Sequence, residues 1–282
     1  VNADRLAQDR RSFLAVMALG LLTVAGCGTS ANGAPGSSGA SPASGSGALT
    51  SAPPPSLPPI PPPKPGPPQI ISSAAGASWD PPTTTNQIAL TVDDGYDQAT
   101  VAAYADFANR TGIPLTFNPN GCYSDIWNGH AEALKPLIEK GQVQIGNHTY
   151  SHQALPGRSA SAIQDDIHRN EEWVNKTFGI TTRPYFRPPF GNRNGETDQA
   201  AAEIGWTRIL MWDGTLGDSN LLTPNGLMSN AKQWIKAGRI VLGHANHPTV
   251  THLYDQIQQL IADRKLVPVT LDTMFGTSRA TG

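Results

Sequence analysis

The chain has 282 residues, a formal net charge of −2 and only 15% charged side chains. A near-neutral chain of this kind carries no basic field, which excludes nucleic-acid binding by phosphate neutralisation. Its 28 glycines and 25 prolines are concentrated before residue 80, so the globular part is shorter than the chain.

In chain order, Arg5, Arg10 and Arg11 make a positive start, and an apolar stretch follows over 13–25. That stretch is shorter than the ~20 residues a membrane-spanning helix needs and reads as the centre of an export signal. It ends in Val24-Ala25-Gly26-Cys27, which resembles the lipobox of bacterial lipoproteins. Residues 1–27 are therefore expected to be a lipoprotein signal peptide, with a lipid on Cys27 tying an exported protein to the outer face of the cytoplasmic membrane or to the envelope. Arg10-Arg11-Ser12-Phe13-Leu14 also resembles a twin-arginine export motif. With Cys27 acylated, no disulfide to Cys122 is expected.

Residues 28–80 are expected to form a disordered linker. Gly, Ser and Ala dominate first, then prolines from Pro53 to Pro68. Such a stretch buries too little apolar surface to offset its ordering entropy. The proline part extends as polyproline at ~3.1 Å per residue and suits a tether that holds a domain away from a membrane.

The composition turns globular near Trp79, and a single domain is expected over 81–282. Ile88, Leu90 and Val92 alternate and predict a strand over 87–92. Val101, Tyr104, Phe107 and Ala108 fall at helical spacing over 97–110, with Gly112 placed to cap. Further strands are expected over 114–117, 143–146, 185–187, 208–212, 240–243 and 267–271. Further helices are expected over 131–140, 161–178, 196–204, 226–237 and 251–264. Strict alternation of strand and helix argues for an α/β fold with a parallel sheet, open or closed into an irregular barrel of seven strands.

Chemistry-bearing residues fall after these strands: Asp93-Asp94-Gly95, then His148 and His152, then Arg187-Pro188-Pro189-Phe190-Gly191, then Trp212 and Asp218, then Leu242-Gly243-His244. In parallel α/β architectures the carboxyl ends of the strands carry the active site. On a helical turn, His148 and His152 would share one face and reach one cation. A carboxylate from Asp93 or Asp94 would complete three protein ligands and leave a position open, as catalytic metal sites require. Successive strand residues face opposite ways, so one aspartate can bind metal while the other stays a base. Two histidines and a carboxylate also describe an iron(II) oxygenase triad. The alternating strands and helices and the extra His244 favour hydrolysis.

Thr91-Val92-Asp93-Asp94-Gly95, His148-Thr149-Tyr150-Ser151-His152, Arg187-Pro188-Pro189-Phe190-Gly191 and Leu242-Gly243-His244 resemble, in order, the motifs of the polysaccharide deacetylase family, the NodB-homology group or carbohydrate esterase family 4. The resemblance covers about 87–271 and implies a distorted (β/α)7 barrel. It implies Asp93 as catalytic base, and Asp94, His148 and His152 as ligands of one divalent metal ion. Zinc is the default and cobalt or another divalent ion the alternative. It implies Arg187 as the group orienting the base, His244 as general acid and Asp218 as its supporting carboxylate. Phe190 would offer a backbone N–H to the oxyanion, Leu242 would line the acetyl-methyl pocket and Trp212 would wall the substrate groove. The implied activity is removal of N-acetyl groups from an envelope polysaccharide such as peptidoglycan or a chitin-like polymer. An O-acetyl esterase and a catalytically silent glycan-binding module are the rival readings.

The sequence departs from the family pattern at Val92, at Ser219 after Asp218, and at Asn118-Pro119-Asn120-Gly121, a polar strand end. His130, His168, His247 and His252 lack partners at ligand spacing, although His247 lies close to His244. The tryptophans at 79, 127, 173, 206 and 234 read as packing residues, with Trp127, in a polar loop, the best candidate for a sugar platform.

Overall fold

The computed structural model describes residues 65–74 and 85–277. The expected export segment, Cys27 and most of the expected linker lie outside the described residues.

Strand β2 (Gln87–Asp94) is the central strand, and seven of its eight residues are buried. It lies between β3 (Leu115–Pro119) and β8 (Ile240–His244), with β4 (Val143–Ile145) beyond β3 and β7 (Gly214–Thr215) beyond β8. A short β9 (Val267–Pro268) pairs with the start of β2. A second sheet has the order β1 (Gln69–Ile71), β6 (Arg208–Leu210), β5 (Tyr185–Phe186). All these ladders are parallel. Two isolated bridges link the sheets: a parallel one from Asn147, just beyond β4, to Phe186, and an antiparallel one from Ser73 to Arg239, just before β8. The result is the expected α/β architecture, a parallel barrel distorted where single bridges replace ladders.

The alternation read in the sequence sorts β2 into two environments. Ile88, Leu90 and Val92 pack outward into the large core with Val101, Tyr104 and Phe107 of helix α1 (Gln98–Thr111). Ala89 faces the barrel interior with Tyr185, Leu210, Ile240 and Leu271. A parallel strand covered on both sides is buried throughout, so Asp93 and Asp94 at its carboxyl end are delivered to a dry location.

The expected helices form: α3 (Ala131–Glu139), α4 (Ala160–Phe178), α5 (Gly195–Glu203), α6 (Pro224–Trp234) and α7 (Tyr254–Asp263). Asp97 caps α1 by accepting from the Thr100 N–H at 2.8 Å, and Gly112 ends it at a φ of 71°. A short α2 (Ser124–Asn128), β7, and α8 (Leu271–Phe275) were not signalled by periodicity. Leu271, expected to end a strand, instead starts α8, because Thr270 caps that helix.

The boundary expected at residue 80 is corrected. Gln69–Ile71, assigned to the linker, forms β1 beside β6, and Ala74 is buried. The adjacent Ile70 and Ile71 are β-branched residues that suit a strand. Among the described residues no helix is long and apolar enough to cross a membrane.

Candidate active site

The carboxyl ends of β2, β4, β5 and β8 converge. Asp94 turns the chain out of β2 at a φ of 66°, and Gly95 follows at 100°. A Cβ on Gly95 would lie 2.5 Å from Nε1 of Trp127, so only glycine fits between the turn and that ring. Trp127 is fully buried and donates from Nε1 to the Asp94 carbonyl at 2.9 Å. It is therefore a prop beneath the Asp94 turn, a packing residue as read from the sequence, and not a sugar platform.

Asp94 Oδ1 is buried without a hydrogen-bond partner. It stands 3.4 Å from Nε2 of His148 and 3.3 Å from Nε2 of His152. The three ligand atoms lie within 4.8 Å of one another. An orphaned carboxylate oxygen facing two imidazole nitrogens is the donor set of a divalent cation. The three residues fit such an ion with a side left open. Asp94 Oδ2 accepts from Asn246 Nδ2 at 2.7 Å. His148 donates from Nδ1 to the Arg187 carbonyl at 2.6 Å, which turns the Nε2 lone pair toward Asp94. Burial raises the Asp94 carboxyl pKa, but His152 and His148 outweigh it and hold the group well below the usual carboxylate range. His152 is lowered to about 4 by burial, against the pull of Asp94.

The two histidines do not sit on a helical turn. Residues 148–152 form a loop in which Thr149 and His152 take φ values of 61° and 50°. The loop is held by side chains: Asn120 Nδ2 donates to the carbonyls of His148 and Thr149, and Asp166 accepts from the Ser151 N–H at 2.9 Å. Four of the five non-glycine residues with positive φ among the described residues, Asp94, Thr149, His152 and Phe190, belong to this site. Such backbone strain persists only where the surroundings over-determine it.

Asp93 Oδ2 lies 3.7 Å from the same His148 Nε2. That oxygen accepts from Arg187 Nη1 at 2.8 Å, and Oδ1 accepts from Asn118 Nδ2 at 2.8 Å. Arg187 is fully buried and also donates to the Leu210 carbonyl and to Thr91 Oγ1. The carboxylate is thus pinned on both oxygens.

His244, at the end of β8, lies in register with Asp93. Its Nδ1 is 3.1 Å from Oδ1 of buried Asp218. Burial lowers the His244 pKa, but the Asp218 carboxylate reverses this and raises it to about 9. The ring is therefore cationic at neutral pH. Phe190 lies in a 3-10 turn (Pro189–Gly191) with its exposed ring 4.4 Å from that of His152. Half-buried Trp212 fills the space over Gly191, where a Cβ would approach within 2.6 Å, and lies 5.2 Å from the Arg187 guanidinium. Leu242 is buried in β8 beside Thr91 and Thr215.

Asp93, Asp94, His148, His152, Arg187, Phe190, Trp212, Asp218 and His244 are therefore brought to one site, and Leu242 stands in β8 two residues before His244. Sequence reasoning missed Asn118, Asn120 and Asn246, and missed the supporting role of Trp127. The polar strand end Asn118-Pro119-Asn120-Gly121 was the available signal, since β3 pairs Asn118 directly with Asp93.

Residues 80–209 match the family model described as polysaccharide deacetylase. The bifunctional xylanase/xylan deacetylase of Cellvibrio japonicus is 24% identical over 194 residues, covering 68% of this chain and 28% of that protein. The peptidoglycan-N-acetylglucosamine deacetylase of Bacillus cereus is 26% identical over 213 residues, covering 70% of this chain and 71% of that one. The chain thus spans less than a third of the first relative's length. A crystal structure of a peptidoglycan N-acetylglucosamine deacetylase superposes with a TM-score of 0.64 at 24% identity, covering 74% of this chain and 94% of that chain. Residues 80–209, matched by the polysaccharide deacetylase model, carry the first three motifs at the ends of parallel strands, and the chain is similar in sequence and in fold to proteins named as deacetylases.

Proposed function

We propose that the protein is a metal-dependent hydrolase that removes N-acetyl groups from a cell-envelope polysaccharide and releases acetate. The observation that carries this reading is a carboxylate pinned on both oxygens, Asp93, next to Asp94, whose unpaired Oδ1 faces His148 and His152. The relative named as a peptidoglycan-N-acetylglucosamine deacetylase supports it.

Asp94, His148 and His152 would hold the metal. When bound, such an ion polarises an acyl carbonyl and acidifies water. The His2Asp donor set with an open side suits zinc, and cobalt fills the same geometry. Asp93 is the base: it takes a proton from the attacking water as the new carbon–oxygen bond forms. Arg187 and Asn118 fix its orientation. The N–H of Phe190 donates to the oxygen of the tetrahedral carbon. Imidazolium His244, held by Asp218, gives its proton to the leaving nitrogen as the carbon–nitrogen bond breaks. Acetate and a free amino sugar result. Leu242 lines the acetyl-methyl pocket and Trp212 walls the groove.

The relative named as a xylan deacetylase favours a second reading, because xylose units carry acetyl groups only on oxygen. The same residues would then cleave an acetyl ester. Acetate release from acetylated chito-oligomers, peptidoglycan and acetylated xylan separates the two readings.

For the segments outside the described residues, the lipobox at Cys27 and the Gly/Ser/Pro run support an exported protein anchored by lipid, with a tether that presents the domain to the envelope glycan. Labelling with a radioactive fatty acid, lost in Cys27→Ala, tests the anchor.

A further inference from the structure

Three buried polar atoms behind His244 have no hydrogen-bond partner among the described residues: Oδ2 of Asp218 and the hydroxyls of Tyr104 and Tyr254. Asp218 gives its other oxygen to His244, at 3.1 Å. Asp93 differs, because both of its oxygens accept from protein donors. Buried polar atoms are nearly always paired, so three bare ones close together point to a shared partner.

Two of these atoms face one point beside Gly243 of β8. A Cβ on that glycine would lie 3.2 Å from the Tyr104 hydroxyl and 3.5 Å from Asp218 Oδ2. Tyr104 on α1 packs against Tyr254 at the start of α7, with ring centroids 5.2 Å apart. Both tyrosines line a cavity of about 20 Å³, with Gly243, Leu216 and Thr91 among its other walls. One water needs at least ~10–15 Å³ for its centre and roughly two to four polar partners. Burial first, and then the Asp218 charge, push the pKa of both hydroxyls up, so both stay protonated and can donate. The charged groups that act on His244 are Asp218, Asp94, Asp93 and His152, and Asp218 is the one that also acts on the two tyrosines.

We infer that one buried water, held over Gly243 by the hydroxyls of Tyr104 and Tyr254, donates to Oδ2 of Asp218 and makes the two tyrosines positioning residues for His244. The water accepts from both hydroxyls and gives a hydrogen to the carboxylate, which pairs all three bare atoms. Asp218 is then held on both oxygens, as Asp93 is. A donor on the far oxygen favours the ionised carboxylate. The shared proton therefore stays on His244, the side from which it can reach a leaving nitrogen. Glycine at 243 leaves room for this, since a methyl group there would take the place of the water. The inference rests on the hydrolase reading and deepens it, by naming what holds the partner of the proposed acid.

The test is NMR titration of the His244 ring in the zinc-loaded full chain with labelled histidine, beside pH profiles of kcat and KM. Tyr104→Phe keeps the ring and removes the hydroxyl. Without its donor Asp218 holds the shared proton more tightly, so the His244–Asp218 pair should titrate about half a pH unit higher, a fraction of one hydrogen bond to a charged group. Mere loosening of the pair would move the titration down. The kcat plateau should fall several-fold with KM unchanged. Gly243→Ala expels the water by another route and should give the same upward shift. The double variant should shift no further than either single one, because both remove one interaction. An unmoved or lowered titration in Tyr104→Phe would overturn the inference, as would additive shifts in the double variant. Should Tyr104→Phe not fold, Gly243→Ala decides by the same criterion. Acetate release by the unmodified protein is scored separately. The upward shift without acetate release would leave the water site standing and remove the hydrolase reading.

Discussion

Asn118 donates to one oxygen of Asp93 at 2.8 Å while Arg187 holds the other at the same distance. Asn118 comes from β3 and Asp93 from β2, and the parallel register sets them side by side. On the proposed reading Asp93 is the base, and a carboxylate clamped on both oxygens cannot swing round to join Asp94, His148 and His152 as a metal ligand. Asn118→Leu removes one clamp. It should lower kcat about tenfold, the effect of losing a hydrogen bond to a charged group worth about 1.5 kcal/mol, with KM little changed. Steady-state kinetics check this. A proportional rise in KM with unchanged kcat would assign Asn118 to substrate contact instead.

Asn246 plays the matching part for Asp94. Its amide donates to Oδ2 and leaves Oδ1 facing the two imidazoles. Partners that orient a ligand in this way typically contribute 10–100-fold to metal affinity. Asn246→Ala should therefore weaken metal binding by roughly 10–100-fold, read by competition with a chromogenic chelator. His148→Ala and His152→Ala should abolish stoichiometric binding.

The His244–Asp218 pair predicts a pH dependence. The folded-state pKa of His244, about 9, lies above the 6.5 of an ordinary imidazole. The pair therefore contributes stability that is complete below pH 6.5 and is lost as pH rises through 9. With His244 as the proposed general acid, its proton is lost over the same upper range, so kcat should fall on a basic limb near pH 9. Asp218→Asn removes the carboxylate that raises the pKa. The limb should then move down by roughly two pH units, and kcat at pH 8 should drop about tenfold, as the protonated fraction does. An unmoved limb would show that another group sets it.

Gly95 tests the strained turn. A methyl group there would meet the buried Trp127 ring at 2.5 Å, and the backbone stands at a φ of 100°. Gly95→Ala should cost about 2 to 4 kcal/mol of folding stability, combining backbone strain with overpacking. Because the turn carries Asp94, metal affinity should fall with it. Thermal unfolding with and without metal measures both.

The motifs were legible because each lies within a few residues at the end of a strand, where local pattern predicts both the strand and the polar cluster after it. Asp93-Asp94 and Leu242-Gly243-His244 are of this kind. The asparagines were not legible in the same way. Asn118, Asn120 and Asn246 act through pairings across 25 to 152 positions in the chain, which depend on strand register and not on local spacing. The i, i+4 spacing of His148 and His152 suggested a helical turn, but Asn120, Asn147 and Asp166 hold that segment as a loop instead. Strand β1 was missed because three residues beside a proline run carry too little periodicity to register, and β6 supplies the partner that makes them a strand.

The most direct test is acetate release from an acetylated chito-oligomer and from purified peptidoglycan, with and without a chelator, beside Asp93→Asn. The account predicts release that stops with the chelator, returns with zinc and falls at least a thousandfold in Asp93→Asn, roughly what loss of an essential proton acceptor costs. Release that survives both the chelator and Asp93→Asn, or no release from either substrate by a metal-loaded protein, would contradict it.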